Sequence, residues 1–166
     1  MRKAIWGSIF TAAAVLVGAD NAAAQATATA TVTVSATVNA KAKLTMGSTT
    51  ASFSDADPDT SPVLSASAIS VDVKARTSSA GSVTLTVIAS DDLSNGSDAI
   101  GVGNLSWTVT GTNFAAGTMS KTVAQSLGSW TGGGTQSGTQ TYKLANSWSY
   151  NTGSYSTTIT YTLTAP

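Results

Sequence analysis

The chain contains no histidine, no cysteine and no glutamate, and each absence removes a class of chemistry. Without histidine, no side chain changes charge near neutral pH at its ordinary pKa, so the usual general base is missing. Without cysteine there is no thiol nucleophile, no disulfide framework and no lipid-anchoring residue, and the common transition-metal ligands are lost with these two types. Serine is abundant, yet none sits in a G-x-S-x-G elbow and no histidine can activate one. Asp91 and Asp92 are the nearest carboxylate pair in sequence. Neighbours on a strand point to opposite faces, however, and the Ser-Asn-Gly that follows marks a turn. The chain therefore reads as a non-enzyme with no cofactor.

Charge is equally scarce, with eight basic and eight acidic residues making up 10% of the chain. A near-neutral balance argues against nucleic acid, whose binding needs clustered lysine and arginine, and against a polybasic contact with a membrane surface. Little net charge opposes close self-association.

What is present begins with a segment expected to be removed. Arg2 and Lys3 form a positive start, residues 4–18 are apolar, and alanines near 22–26 offer the small-x-small pattern of a secretory signal over residues 1–25. A retained anchor is the alternative, but the apolar run is shorter than the roughly 20 residues that span a bilayer. After cleavage no membrane span is expected, and the protein is read as secreted or displayed at the cell surface. About 140 residues remain, an ordinary size for one domain with its own core.

Between Ala26 and Met46 every even position is apolar or small and every odd one is polar. A period of two predicts β-structure, with one side-chain row facing a core and the other facing water. Unbroken, the tract would run about 70 Å at roughly 3.3 Å per residue, too long for one sheet of a small domain. Either it bends and serves two sheets, or its first part, residues 26–36, reaches beyond the domain formed by 37–166.

Further strands are expected at 67–77 and 83–87, joined by a turn at 78–81 as a hairpin. Others are expected at 105–110 with Leu105, Trp107 and Val109 inward, at 119–124, at 127–131, at 139–144 and at 155–164. Thr and Ser make up roughly a third of the chain, a composition that suits strands. Seven to nine short strands predict an all-β antiparallel sandwich of immunoglobulin-like type, with a small closed barrel as the alternative. An outer-membrane barrel fits less well, because its strands need about ten residues each.

Two acidic loops invite a test for calcium, which needs several converging oxygens. Asp55, Asp57 and Asp59 resemble the opening of a calcium loop, but Thr60 stands where glycine is expected and Ala66 where the closing glutamate belongs. Asp91, Asp92, Asn95 and Asp98 form a looser set. Turn formation by Asp and Asn is the simpler reading for both, and no metal is expected. Among the aromatics, Trp107 alternates with core positions. Trp130, Trp148 and Tyr150 are harder to bury by pattern and make a candidate surface for stacking on a glycan.

The export signal, the alternating opening tract, the cysteine-free Thr-rich domain and the closing run GSYSTTITYTLTAP (153–166) together resemble bacterial surface proteins built on immunoglobulin-like sandwiches. Pilin-type filament subunits and spore-coat-U-like proteins are the groups meant. In pilin-type subunits an N-terminal extension completes the sandwich of the neighbouring copy. That resemblance implies that Ala28, Ala30, Val32, Val34 and Ala36 fill the neighbour's groove and that Ile159, Tyr161 and Leu163 line it. The disulfide common in such subunits is absent here. Strand donation also stands on general physics, since an added strand satisfies an unpaired edge and covers a strip of core. The expectation is a non-catalytic structural protein whose partner is another copy of itself, head to tail, or another surface protein. The alternative is a secreted carbohydrate-binding or adhesive module.

Overall fold

A computed structural model describes residues 26–166, so the expected signal segment lies outside the described residues. Residues 26–40 take part in no strand and every one is exposed. This corrects the expectation of a strand running from Ala26. The alternation ends in a strand only at Lys41, because the preceding inward positions are mostly alanines, which bury little apolar area when paired.

Thr37–Pro166 form one compact unit. Its strands are β1 (Lys41–Met46), β2 (Val63–Ser65), β3 (Ile69–Arg76), β4 (Ser82–Ala89), β5 (Leu93–Ser94), β6 (Ala99–Ile100), β7 (Leu105–Thr110), β8 (Gly117–Thr118), β9 (Gln125–Thr131), β10 (Gly134–Ala145) and β11 (Ile159–Thr164). One sheet has the order β1-β3-β10-β7-β8, with β2 prolonging the β3 row along β10. The other has the order β11-β4-β9, and β5 with β6 forms a small separate hairpin. Every pairing is antiparallel. The fold is an all-β antiparallel sandwich, as the strand pattern predicts.

The two sheets meet through the rows that alternation marks. Ile69, Val71, Val73 and Ala75 of β3 are buried, as are Val83, Leu85, Val87 and Ala89 of β4. Both rows belong to one core with Leu105, Trp107, Leu127, Tyr142 and Leu144. Hence β3 and β4 are not the hairpin that the turn at 78–81 suggests. They lie in different sheets, and the link carries the chain across the sandwich so that the two apolar rows face each other instead of lying side by side.

Register also fixes two ends of the sandwich. Lys41 pairs with Arg76, and Gly134 with Ala75, at the end where the 77–81 link crosses. Ser82 opposite Thr131 and Thr164 opposite Thr84 belong to that same end, and the Thr77 hydroxyl donates to the Pro166 carbonyl there. Met46 opposite Val71, Leu144 opposite Leu64 and Ile159 opposite Ala89 belong to the other end, from which the loops 47–62 and 90–104 emerge. We call these the turn end and the loop end.

Candidate functional site

The sandwich has two long sides, and they are finished differently. Along β8 and β9 the link between β7 and β8 straps the sheets together. Phe114 bridges to Gly128, the Ala115 N–H donates to the Leu127 carbonyl, and the Ser129 N–H donates to the Asn113 carbonyl, which occupies the outer edge of β9. Trp107 Nε1 donates to the Ala115 carbonyl at 2.8 Å. Gly117 makes this strap fit, since a Cβ there would lie 2.6 Å from the Trp107 ring.

Along β1 and β11 no strap exists among the described residues. Among the described residues β1 pairs only with β3, and β11 only with β4. The inward residues on this side, Leu44 and Met46 of β1 with Ile159, Tyr161 and Leu163 of β11, are only partly buried although they pack against the core. Each strand therefore offers one row of backbone N–H and C=O groups and a strip of apolar side chains. The two edges differ in protection. β1 carries Lys41 and Lys43, a common defence of an exposed edge, whereas the polar row of β11 is Thr160, Thr162 and Thr164 with no charge and no proline.

At the loop end this seam widens into a cleft of about 440 Å³ lined by Met46, Phe53, Ile69, Tyr142, Ile159 and Tyr161, among others. A polar trio lies beneath it. The Tyr142 and Tyr161 hydroxyls are 2.5 Å apart, and the Tyr161 hydroxyl donates to Gln140 Oε1 at 2.7 Å. Gln140 is fully buried and its Nε2 has no hydrogen-bond partner among the described residues. Burial pushes the Tyr142 hydroxyl well above the ordinary phenol range, with Tyr161 beside it adding to the shift. Burial raises Tyr161 as well. Both phenols stay neutral donors at physiological pH.

The residues singled out by sequence separate into different places. Ile159, Tyr161 and Leu163 share the inward row of β11, while Ala28, Ala30, Val32, Val34 and Ala36 stand exposed outside any strand. The three aromatics do not form one platform, which corrects the glycan surface drawn from them. Trp130 is 8% exposed within the core near the turn end. Tyr150 packs partly against the core, and only Trp148 projects into solvent, with its Nε1 donating to Asp59 Oδ1 at 3.1 Å. Trp130 turns inward because β9 carries a bulge opposite Leu85 and Thr86, which shifts the alternation and buries Leu127, Gly128 and Trp130 together.

Of the acidic residues singled out by sequence, all but Asp55 are hydrogen-bonded within the fold among the described residues. Lys121 Nζ bonds Asp91 at 2.8 Å and Asp92 at 2.7 Å, and these bonds hold both carboxyls below their ordinary range and raise the lysine. Asp92 also accepts the Val102 N–H, anchoring the loop that follows the β5–β6 hairpin. Asp98 accepts from Asn151 Nδ2 at 2.8 Å and from the Ser97 hydroxyl, which hold it below the usual carboxylate range. Asp57 accepts the Asp59 N–H in a local turn. Among the described residues no group of three acidic side chains converges on a metal-sized point. Pattern reading missed Gln140, although its place two residues before Tyr142 on an alternating strand marks it as inward. It also missed Lys121, which reaches its partners only through the tertiary fold. Comparison with protein-family models and with curated proteins finds no match to this chain.

Proposed function

We propose that this protein is an exported, non-catalytic subunit that assembles head to tail by strand addition, with residues 26–36 of one copy pairing along β11 of the next. The observation that carries this reading is the open seam: an uncharged edge strand with a half-covered apolar row, in a chain that also carries an exposed alternating segment outside any strand. Main-chain bonds from such a segment would satisfy the edge, and its inward side chains would cover the row. Residues 26–36 reach about 36 Å when extended at roughly 3.3 Å each, enough to cover the six residues of β11. Donor and acceptor are different surfaces of one molecule, so the contact does not close on itself and propagates as a filament. The resemblance to pilin-type and coat-forming surface proteins points the same way.

The test compares the chain starting at Gln25 with one starting at Thr37, by size-exclusion chromatography and negative-stain microscopy. The longer chain is expected to form filaments or ladders, the shorter to remain monomeric and to bind a peptide of residues 26–36. Equal behaviour of both chains would overturn the proposal. A second reading, glycan binding, is favoured by one observation, the exposed Trp148 ring tethered by Asp59. It predicts quenching of tryptophan fluorescence by a glycan and loss of that quenching in Trp148→Ala.

A further inference from the structure

The described cations are unevenly placed. β1 and β3 set Lys41 directly opposite Arg76 and Lys43 directly opposite Lys74, so half of the chain's eight basic residues share the solvent face at the turn end. Like charges directly opposite on a sheet repel. None of the four forms an ion pair among the described residues, where the salt bridges are those of Lys121 with Asp91 and Asp92. Asp72, two positions before Lys74 on the same face, instead accepts the Ser137 hydroxyl at 2.6 Å. At the loop end the charge is reversed. Asp55, Asp57 and Asp59 are exposed on the loop after β1, again without an ion pair among the described residues, and residues 48–51 and Phe53 of that same loop border the cleft.

Chain direction connects the two patches. Thr37–Ala40 enter β1 at Lys41, so an extension leaves the compact unit at its basic end, whereas the cleft opens at its acidic end. We infer that the Lys41, Lys43, Lys74 and Arg76 patch of one copy docks on the Asp55–Asp59 loop of the next as strand addition brings them together. The inference rests on the head-to-tail reading above and adds a second contact to it. Its role is electrostatic steering and choice of end: opposite charges at a contact rim act mainly on the association rate, and a wrong-end encounter sets like charges against each other.

Filament growth of the chain starting at Gln25 is followed by light scattering at 50 and 500 mM NaCl. Growth is expected to slow about tenfold at the higher salt, because rim charges are screened beyond a few ångströms there. The variant K41Q/K43Q/K74Q/R76Q should grow about tenfold more slowly at low salt and show little salt response. All four positions are exposed and the substitutions relieve repulsion; the one bond lost is that from Arg76 Nε to the exposed Asn39 carbonyl at 2.9 Å, so its melting temperature should change little. A reciprocal pair decides the contact. K41E/K43E/K74E/R76E and D55K/D57K/D59K should each grow poorly alone and recover when mixed. If the unsubstituted chain grows but the glutamine variant matches it at both salts, this inference fails while strand addition stands. The same holds if the only loss is retention on a polyanion such as heparin, which would make the patch a polyanion site. If the unsubstituted chain does not grow at either salt, the head-to-tail reading fails and this inference with it.

Discussion

The β8–β9 side and the β1–β11 side of this sandwich are built from similar strands and end differently. On the first, the segment 111–118 bridges both sheets, and Trp107, Leu127 and Met119 beneath it are almost fully buried. On the second, the equivalent inward residues are half-buried and each edge strand has one partner. Core coverage at a sandwich edge therefore comes from what crosses between the sheets, not from the strands themselves. A side left without such a crossing is a docking surface or a liability.

The sharpest way to break the comparison is to remove one apolar side chain from each side. Trp107→Ala would lose a ring that is 2% exposed and its bond to the strap, and is expected to destabilise the monomer by about 3–5 kcal/mol. Leu163→Ala, on the partly buried row of β11, should cost the monomer less, about 1–2 kcal/mol, because part of its side chain already meets water. Urea unfolding of the chain from Thr37 measures both. Equal costs would mean that the open seam is as well packed as the closed side, and would remove the basis for calling it open.

The difference between the sides also marks how far the sequence could be read. Alternation identifies the long strands and their buried faces, which is why the rows from Ile69, Val83 and Leu105 appear where their pattern puts them; it fails for short pieces, since 119–124 forms no strand, the last strand starts at Ile159 and not at Tyr155, and β2, β5, β6 and β8 are too short to show a period. It carries no information about which strand lies alongside. The link at 77–81 looks like a hairpin turn, and only the need of two fully apolar rows to face one another sends β3 and β4 into separate sheets. Trp130 escaped because a bulge shifts the phase of β9, an insertion that no period of two reveals. The edge position of β11 was not legible either, since edges are properties of the assembled sheet. Only the resemblance to strand-donating proteins points to Ile159, Tyr161 and Leu163 as a groove lining, whereas their common inward row follows from plain alternation.

Tyr161 tests whether the polar trio belongs to the open side. Tyr161→Phe removes the donor to Gln140 Oε1 and the partner of the Tyr142 hydroxyl, leaving a buried amide with neither end paired. The expected cost is about 1–3 kcal/mol. The pH dependence has a definite sign. Both phenols have folded pKa values raised above the unfolded value of about 10, so their contribution is complete below about pH 10 and is lost as pH rises through the folded values. Thermal melts between pH 7 and 11 should show a steep alkaline fall in the unsubstituted chain and a shallower one in Tyr161→Phe. Parallel curves would show that water already reaches the trio through the cleft.

The smallest effect is expected at the loop end, where Lys121 clamps Asp91 and Asp92 on the surface. The two carboxyls have folded pKa values below their unfolded ones, so what they contribute is present above the ordinary carboxylate range and is lost as pH falls through the folded values. Lys121 is raised and acts in the opposite direction, its contribution disappearing as pH rises past that of a free lysine. Water and salt screen all three groups, so Lys121→Ala should lower the melting temperature only slightly at pH 7 and not at all near pH 2. The informative readout is local. Asp92 also holds the Val102 N–H, and with the lysine gone that amide should exchange with solvent faster while those of β3 and β4 do not change. If exchange quickened throughout the second sheet instead, the clamp would be bracing the sandwich and not only its loop.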